Sequence, residues 1–176
     1  MASLFNPELK EFGPSDVYQE LSSNRRQKVW AIGGGKGGVG KSLITSNLSI
    51  CLALMGYKVI AVDLDLGGAN LHTCLGVPIP ERTLSDYISK KARSLDELIT
   101  QTPIKNLSII SGAQDDVGIA NLKHMQKAKI LNKLQRLDAD YILLDLGAGT
   151  SFNTLDFFIS ADQGILTALP EPTSIE

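Results

Sequence analysis

The amino-acid sequence predicts an α/β fold of three layers, with a mainly parallel β-sheet covered by helices on both faces. Three observations indicate this fold. Short apolar runs alternate with helical patterns, these runs are apolar at successive positions, and the first run leads through a glycine-rich loop into a helix. A strand that is apolar on both sides needs cover on both sides, so the sheet is expected to lie between two helical layers.

The first strand, loop and helix are predicted within residues 29–56. Residues 29–32 form a short apolar run that ends in glycines, as a buried parallel strand does. Apolar side chains then recur at helical spacing, at Ile44, Leu48, Cys51, Leu52 and Met55. This face of the helix, Cys51 included, is expected to pack on the core, and Gly56 is expected to cap the C-terminal end.

The rest of the chain continues the alternation. Strands are predicted at residues 58–63, 107–110, 141–145 and 164–169, and helices at residues 83–90, 94–100, 119–137 and 151–160. Residues 1–27 combine proline, glycine and serine with one weakly amphipathic stretch and are interpreted as an arm or linker. The folded domain is therefore expected to comprise residues 28–176.

Composition limits the classes of function. The chain has 176 residues, 43% of them hydrophobic, which suits one core and leaves no room for a second full domain. A net charge of −2 gives no support for DNA binding by bulk electrostatics. The two cysteines form no C-x-x-C pair, and the N-terminus lacks the features of a secretory signal. A cytoplasmic protein is expected, with any contact at the inner membrane being peripheral.

Residues 35–42 match the phosphate-binding pattern G-x-x-x-x-G-K-[ST] through Gly35, Gly40, Lys41 and Ser42. Glycines let the backbone turn its N–H groups inward, and the helix after the loop adds its positive end. Lys41 is expected to reach the β and γ phosphates, and the Ser42 hydroxyl to ligate Mg²⁺. The pattern therefore predicts a nucleoside triphosphate site, with ATP and Mg²⁺ as cofactors.

Two other interpretations of the loop explain fewer of its residues. The dinucleotide fingerprint G-x-G-x-x-G also matches, at Gly33, Gly35 and Gly38, but it leaves Lys41 and Ser42 without a role. A glycine-rich turn that only makes room for packing needs neither the strand before it nor the helix after it. Both interpretations are therefore set aside.

Acidic residues end two of the predicted strands. Asp145 closes the run of residues 141–145 and is expected to hold Mg²⁺ through a water. Asp63 and Asp65 end the second strand, and alternation places both on one side, facing the metal and the attacking water. The alternative for each is a solvated strand-end acid that serves turn chemistry.

Other reactive side chains lack a ligand pattern. His72 is expected to be solvated or on the surface of a switch, and Cys74 has no second cysteine suitably placed for a metal cluster. Lys127 lies on a lysine-rich helix whose lysines are expected to form a solvated face.

Together the motifs resemble the MinD/ParA family of P-loop ATPases. The family's loop K-G-G-x-G-K-[ST] is matched at every fixed position by residues 36–42. Its signatures D-x-D and G-x-x-N-L are matched by residues 63–65 and 67–71, and its acidic strand motif by Asp145 and Gly149. The resemblance runs from about residue 28 to the C-terminus. It implies the three-layer P-loop NTPase fold.

The resemblance also implies roles for the site residues. Lys36 would cross a dimer interface to the phosphates of the partner's nucleotide and Asp65 would position the attacking water, which makes both catalytic. Ser42 would bind the metal directly, with Asp63 and Asp145 acting through water. The nucleotide-binding set is Gly35, Lys36, Gly37, Gly38, Val39, Gly40, Lys41, Ser42 and Leu43. Residues 65–75 would sense the γ phosphate, and the switch set is Asp65, Gly67, Asn70, Gly147 and Gly149.

The function implied by the resemblance is an ATP-driven switch. ATP binding would form a homodimer, and slow hydrolysis, stimulated by a protein partner, would separate it. Residues 145–149 read D-x-G-A-G, as in regulators of flagellar number, whereas cell-division members usually have proline at the middle position. The switch is therefore expected to act in spatial or numerical control of a flagellum or division site.

Two other functions fit the same motifs. A ParA-like partitioning ATPase would coat DNA as an ATP-bound dimer, and an interaction module would bind nucleotide without turnover. Family members usually extend well beyond residue 176, so the chain is expected to be truncated. Base specificity and any membrane helix would then depend on residues C-terminal to Glu176.

Overall fold

A six-stranded β-sheet forms the centre of the molecule in the computed structural model, which describes residues 26–65, 68–112, 124–149 and 152–170. The strands are β1 (Lys28–Gly33), β2 (Val59–Asp63), β3 (Thr100–Gln101), β4 (Leu107–Ile110), β5 (Tyr141–Asp145) and β6 (Gln163–Leu166). They lie in the order β3-β4-β2-β5-β1-β6, and every neighbouring pair is parallel except β3 and β4. The predicted mainly parallel sheet is confirmed.

Helices cover both faces of this sheet. They are α1 (Lys41–Leu54), α2 (Leu71–Cys74), α3 (Leu84–Ile88), α4 (His124–Leu134) and α5 (Phe152–Ile159), with a 3₁₀ turn at Asp96–Leu98. Successive strand residues point to opposite faces, so that Ala31 belongs to one buried cluster and Ile32 to the other. Helices α3, α4 and α5 pack on the first face and α1 and α2 on the second, through Leu84, Ile130, Phe157, Leu52 and Leu71. The three-layer fold is therefore confirmed.

The register of the sheet brings three strand ends to one place. In the parallel pairing of β1 with β5, Ile32 lies opposite Asp145, and in the pairing of β2 with β5, Asp63 lies opposite the same residue. Ligands of open α/β sheets bind at the carboxyl ends of the strands. The glycine loop after β1 and the acids that end β2 and β5 therefore share one edge.

The predicted core face of α1 was right for Leu48 and Leu52 and wrong for the other three residues. Cys51 is exposed, and Ile44 and Met55 are 39% and 71% exposed. The buried residues of the helix are mostly small: Lys41, Thr45, Ser46, Ser49, Leu52 and Ala53. Small side chains let the helix approach the sheet closely, and the hydroxyls of Thr45, Ser46 and Ser49 donate to carbonyls of the helix itself. Because their hydrogen bonds are made locally, these polar groups can be buried without an unmet donor.

Several element boundaries also differ from the prediction. A helix is predicted over residues 94–100, but Thr100 pairs with Ile109 in the antiparallel edge strand β3, and only Asp96–Leu98 is helical. The last strand, predicted at residues 164–169, ends at Leu166. Of the long predicted helix, residues 119–123 lie outside the described residues, as does most of the arm at residues 1–27.

Candidate functional site

The glycine-rich loop between β1 and α1 has a backbone that requires glycine at two positions. Gly38 and Gly40 have φ angles of 77° and 88°, in the left-handed region, and Gly40 directly precedes the first residue of α1. A Cβ atom built on Gly35 or Gly37 would meet no other atom within 4 Å. The loop therefore has open space beside these two glycines, immediately before the N-terminus of α1.

Gly34 fixes the base of the loop against the end of β6, which the sequence interpretation missed. A Cβ atom on Gly34 would lie 2.7 Å from the carbonyl oxygen of Thr167. The Thr167 N–H and hydroxyl donate to the Gly33 carbonyl at 2.8 and 3.1 Å. The two glycines before Gly35 therefore serve packing, in contrast to the open positions after them.

Lys36 in the glycine-rich loop and Lys41 at the start of α1 differ in burial. Lys41 is 8% exposed, and its Nζ donates to the carbonyl oxygen of Lys36 at 3.1 Å. The Lys36 side chain is half-buried. The Lys41 ammonium group is thus held inside the loop by the Lys36 carbonyl. Phosphate oxygens of a bound nucleotide can replace this carbonyl as the acceptor.

Asp145 is buried at the end of β5, and its carboxylate is turned towards α1. It is 1% exposed, its Oδ1 accepts a hydrogen bond from the Thr45 hydroxyl at 3.2 Å, and the Ser42 hydroxyl is close enough to lower its pKa. Burial raises the pKa of Asp145, while the two hydroxyls and the positive charge of Lys41 act in the opposite direction. Sequence reasoning missed Thr45, although its position four residues after Lys41 places it on the same helical face.

Asp63 is buried at the end of β2 and is turned towards the segment after this strand. It is 0% exposed, and its Oδ1 and Oδ2 accept hydrogen bonds from the N–H groups of Asp65 and Leu71, both at 3.0 Å. Burial raises the pKa of Asp63 to about 7, and Asp145 adds to the rise, whereas the Leu71 N–H opposes it. The second acid of the site therefore has a different environment from the first.

Asp65 lies between Gly147, a predicted switch position, and Gly68, within the predicted switch segment. A Cβ atom on Gly147 would be 3.4 Å from Oδ1 of Asp65, and one on Gly68 would be 3.6 Å from its Oδ2. Gly149 has a φ of 94° and its N–H donates to the Gly34 carbonyl at 3.3 Å, which joins this loop to the phosphate loop. Asn70 is exposed immediately before α2. Gly67 lies outside the described residues.

Two side chains outside the loop and strand ends differ from expectation. His72 was expected to be solvated or on the switch surface, but it is 6% exposed. Lys127 was expected on a solvated face, but it is 4% exposed and pairs with Asp156 of α5. Apolar periodicity cannot identify such residues, because a buried charge depends on its partner from another helix. The strand-end acids Asp63 and Asp145 are register partners, and Asp65 lies against Gly147.

The residues present fit a nucleotide with Mg²⁺. A hydroxyl from Ser42 and a carboxylate from Asp145 are the oxygen ligands that Mg²⁺ prefers. Among the described residues, no group of three His, Cys, Asp or Glu side chains could hold a metal by itself. Within the described part of the chain, no helix has the length and apolar character needed to cross a bilayer.

Known proteins resemble the chain over most of its length. A family described as an AAA domain matches residues 27–176. The septum site-determining protein MinD of Helicobacter pylori is 38% identical over 150 residues, covering 84% of this chain and 54% of the relative. The antiactivator FleN of Pseudomonas aeruginosa is 32% identical over 159 residues, covering 89% and 56%.

A solved structure shares the fold at comparable identity. The septum site-determining protein MinD of Pyrococcus horikoshii, complexed with Mg-ADP, matches with a TM-score of 0.75 and 34% identity, over 85% of this chain and 60% of that one. The chain thus spans a little over half the length of the curated relatives described here.

Proposed function

Because the chain belongs to this AAA-domain family, and within it to the MinD/ParA group of P-loop ATPases, we propose that it is a Mg²⁺-dependent ATPase acting as a dimerisation switch. The observation that carries the proposal is the Ser42–Asp145 pair beside an open glycine loop. This arrangement supplies oxygen ligands for the cation and backbone donors for the phosphates. The Mg-ADP bound to the P. horikoshii relative supports the same choice of ligand.

Each residue of the loop has a distinct task in the proposed reaction. Residues 35–43 surround the phosphates with N–H groups, and Lys41 leaves the Lys36 carbonyl to bind phosphate oxygens. Ser42 binds the cation, and Asp145 holds it through a water. The cation supplies positive charge that offsets the charge developing on the transferred phosphoryl group.

The water-positioning and switch roles belong to the loops around Asp65. Its carboxylate lies against Gly147, so a water oriented by Asp65 would contact both loops that follow strands β2 and β5. The proximity of Asp65 to Gly68 and Gly147 supports a segment, residues 65–75, that responds to the γ phosphate. Asn70 directly precedes α2, and Gly149 contacts the phosphate loop in the same segment as Gly147. A movement of these switch positions would therefore affect both α2 and the phosphate loop.

Lys36 is proposed to act across a homodimer that forms on ATP binding. The phosphate loop of the MinD/ParA group carries this extra lysine, and here it stands at the loop's exposed edge between Gly35 and Gly37. A lysine supplied by the second subunit would stabilise negative charge in the transition state and make hydrolysis depend on dimerisation. Because hydrolysis would require the dimer, we propose that turnover is slow and that a protein partner stimulates it.

The cellular role we propose is spatial or numerical control of a flagellum or division site. The relatives include a septum site-determining protein and an antiactivator, which supports a site-determining ATPase in the coarse sense. We place it in the cytoplasm, with peripheral contact at the inner membrane.

The experiment that tests the proposal combines nucleotide binding, phosphate release and sedimentation on one preparation. We expect Mg²⁺-dependent ATP binding, slow hydrolysis and an ATP-dependent dimer. Lys41→Ala should abolish binding, whereas Lys36→Ala should keep binding but lose turnover. Absence of Mg²⁺-dependent ATP binding by the wild-type protein would refute the proposal.

Two further outcomes identify the alternatives. ATP affinity that is unchanged in Lys41→Ala, with no turnover in the wild type, would indicate an interaction module. DNA binding that requires ATP and weakens steeply with salt would indicate a partitioning ATPase.

A further inference from the structure

Both oxygens of the Asp63 carboxylate accept hydrogen bonds from the backbone of the segment after β2. Its Oδ1 accepts from the Asp65 N–H and its Oδ2 accepts from the Leu71 N–H, each at 3.0 Å. The side chain is 0% exposed, so these two donors lie in its buried surroundings rather than at a solvated strand end. A carboxylate that accepts two backbone N–H bonds is strongly held in one orientation.

The hydrogen bond to Leu71 stabilises an element that is too short to be stable alone. Helix α2 has four residues, and the side chain of its N-cap residue, Asn70, makes no capping hydrogen bond. Oδ2 of Asp63 therefore takes the place of the cap at the first residue of the helix. Leu71 and Leu75, at 0% and 4% exposure, hold the same segment through apolar contacts.

Asp63 is also joined to the cation side of the site through the sheet. Asp63 and Asp145 are register partners in β2 and β5, and the N–H of Leu64 donates to the Asp145 carbonyl at 2.8 Å. Their side chains point to different elements, since Asp145 contacts Ser42 and Thr45 of α1. A displacement of the C-terminal end of β5 would therefore also displace α2, because Asp63 connects the two.

We propose that Asp63 is a positioning residue that fixes α2 to the end of β2, and that the cation is held by Ser42 and Asp145 without it. This inference rests on the proposed function of the same site and changes the role that the sequence predicts for Asp63. Asp63 thereby becomes the polar link between the cation-binding strand ends and the segment of residues 68–75.

The test compares Asp63→Asn with Asp145→Asn by two measurements. The first is the hydrogen-exchange rate of the Leu71 amide, followed by NMR in the full chain without nucleotide. The second is the Mg²⁺ concentration that half-saturates ADP binding. Asp63→Asn removes the negative charge and one acceptor oxygen, and the amide oxygen that remains is a weaker acceptor whichever donor it faces, so we expect Leu71 to exchange at least tenfold faster while the Mg²⁺ requirement changes less than twofold. In Asp145→Asn we expect the Mg²⁺ requirement to rise at least tenfold while the exchange rate of Leu71 changes less than twofold.

The opposite pattern would overturn the inference: a Mg²⁺ requirement raised tenfold in Asp63→Asn, with Leu71 exchange unchanged. If Asp63→Asn fails to fold, the exchange rate of the Leu71 amide in the wild-type protein is the test. An amide that is not protected from exchange would be incompatible with the hydrogen bond between Asp63 and Leu71. The exchange measurement needs no nucleotide, so it stands even if ATP binding, and with it the proposed function, fails.

Discussion

The hydroxyl of Thr45 lies 3.2 Å from Oδ1 of Asp145 and 2.9 Å from the carbonyl oxygen of Lys41. Its single proton is shared between these two acceptors, and Thr45 is 0% exposed. Helix α1 thus contacts the carboxylate at the end of β5 through two hydroxyls, those of Thr45 and Ser42. The orientation of Asp145 is therefore set by the helix that follows the phosphate loop.

Thr45→Val should weaken Mg²⁺-dependent nucleotide binding. Valine keeps the shape of threonine but cannot donate, so Asp145 loses one hydrogen bond, worth about 1 kcal/mol, and the Mg²⁺ requirement should rise about fivefold. The pKa of Asp145 should also rise, since the Thr45 hydroxyl lowers it. The measurement is Mg²⁺ half-saturation of ADP binding. Thr45→Ser, which retains the hydroxyl, is the control, and an unchanged requirement in Thr45→Val would contradict the prediction.

Gly40→Ala should destabilise the fold, whereas Gly35→Ala should not. Gly40 has a φ of 88°, which costs an alanine about 1 kcal/mol or more, and the unfolding free energy should fall by that amount. A Cβ on Gly35 meets no atom within 4 Å, so this matched variant should keep its stability and lose phosphate affinity. Urea unfolding and ADP binding distinguish the two effects. Equal loss of stability in both variants would show that the loop conformation is not the cause.

Asp156→Ala should destabilise the protein far more than Asp138→Ala. Asp156 pairs with Lys127, whose side chain is 6% exposed, while Asp138 pairs with Lys58 across side chains that are 89% and 58% exposed. Asp156 is itself 35% exposed, so its loss should cost less than the roughly 3 kcal/mol of a fully buried pair, whereas an exposed pair contributes at most about 1 kcal/mol. Urea unfolding of both variants measures the difference. Similar losses would mean that the burial of Lys127 does not matter energetically.

The stability of the nucleotide-free protein should fall as the pH rises towards and through 7. The pKa of Asp63 is about 7 in the folded state against an ordinary value of 3.8, so between these values the folded state keeps a proton that the unfolded state has lost. Asp63 makes its full contribution to the free energy of unfolding below its ordinary pKa of 3.8. This contribution is lost as the pH rises through the folded-state pKa of about 7.

Urea unfolding at several pH values between about 4 and 8 checks this dependence. The free energy of unfolding of the wild type minus that of Asp63→Asn should decline across the range, because asparagine does not titrate there. Asp145, whose pKa is also raised, stays in both proteins, so the effect of its own burial is common to both and only its coupling to Asp63 remains in the difference. A difference that is constant with pH would contradict the assigned environment of Asp63.

Local pattern was enough to predict the phosphate loop and the strand-end acids. Gly38 and Gly40 have the positive φ that the motif needs, and Asp63 and Asp145 lie at register-paired ends of neighbouring strands. Strands that are apolar on both sides are buried wherever they occur, so the parallel sheet and its two helical layers follow from the alternation of elements.

The face that α1 buries could not be predicted in the same way. Hydrophobic periodicity selected Ile44, Cys51 and Met55, but the helix buries Thr45 and Ser49, whose hydroxyls bond to its own carbonyls. The method scores a hydroxyl as polar and cannot tell that its donor is already satisfied. The same limit hid the burial of Lys127, which depends on a carboxylate from another helix.

The sequence by itself determined where a nucleotide would bind, because a glycine loop, a lysine and a strand-end acid are defined by neighbours along the chain. Only the tertiary structure decided which direction each acid faces. Asp145 turns to the hydroxyls of α1 and Asp63 to the N–H groups of Asp65 and Leu71, although both acids end apolar strands. The physical reason is that a buried carboxylate follows the donors within reach, and those donors come from elements that the fold, not the local sequence, brings beside it.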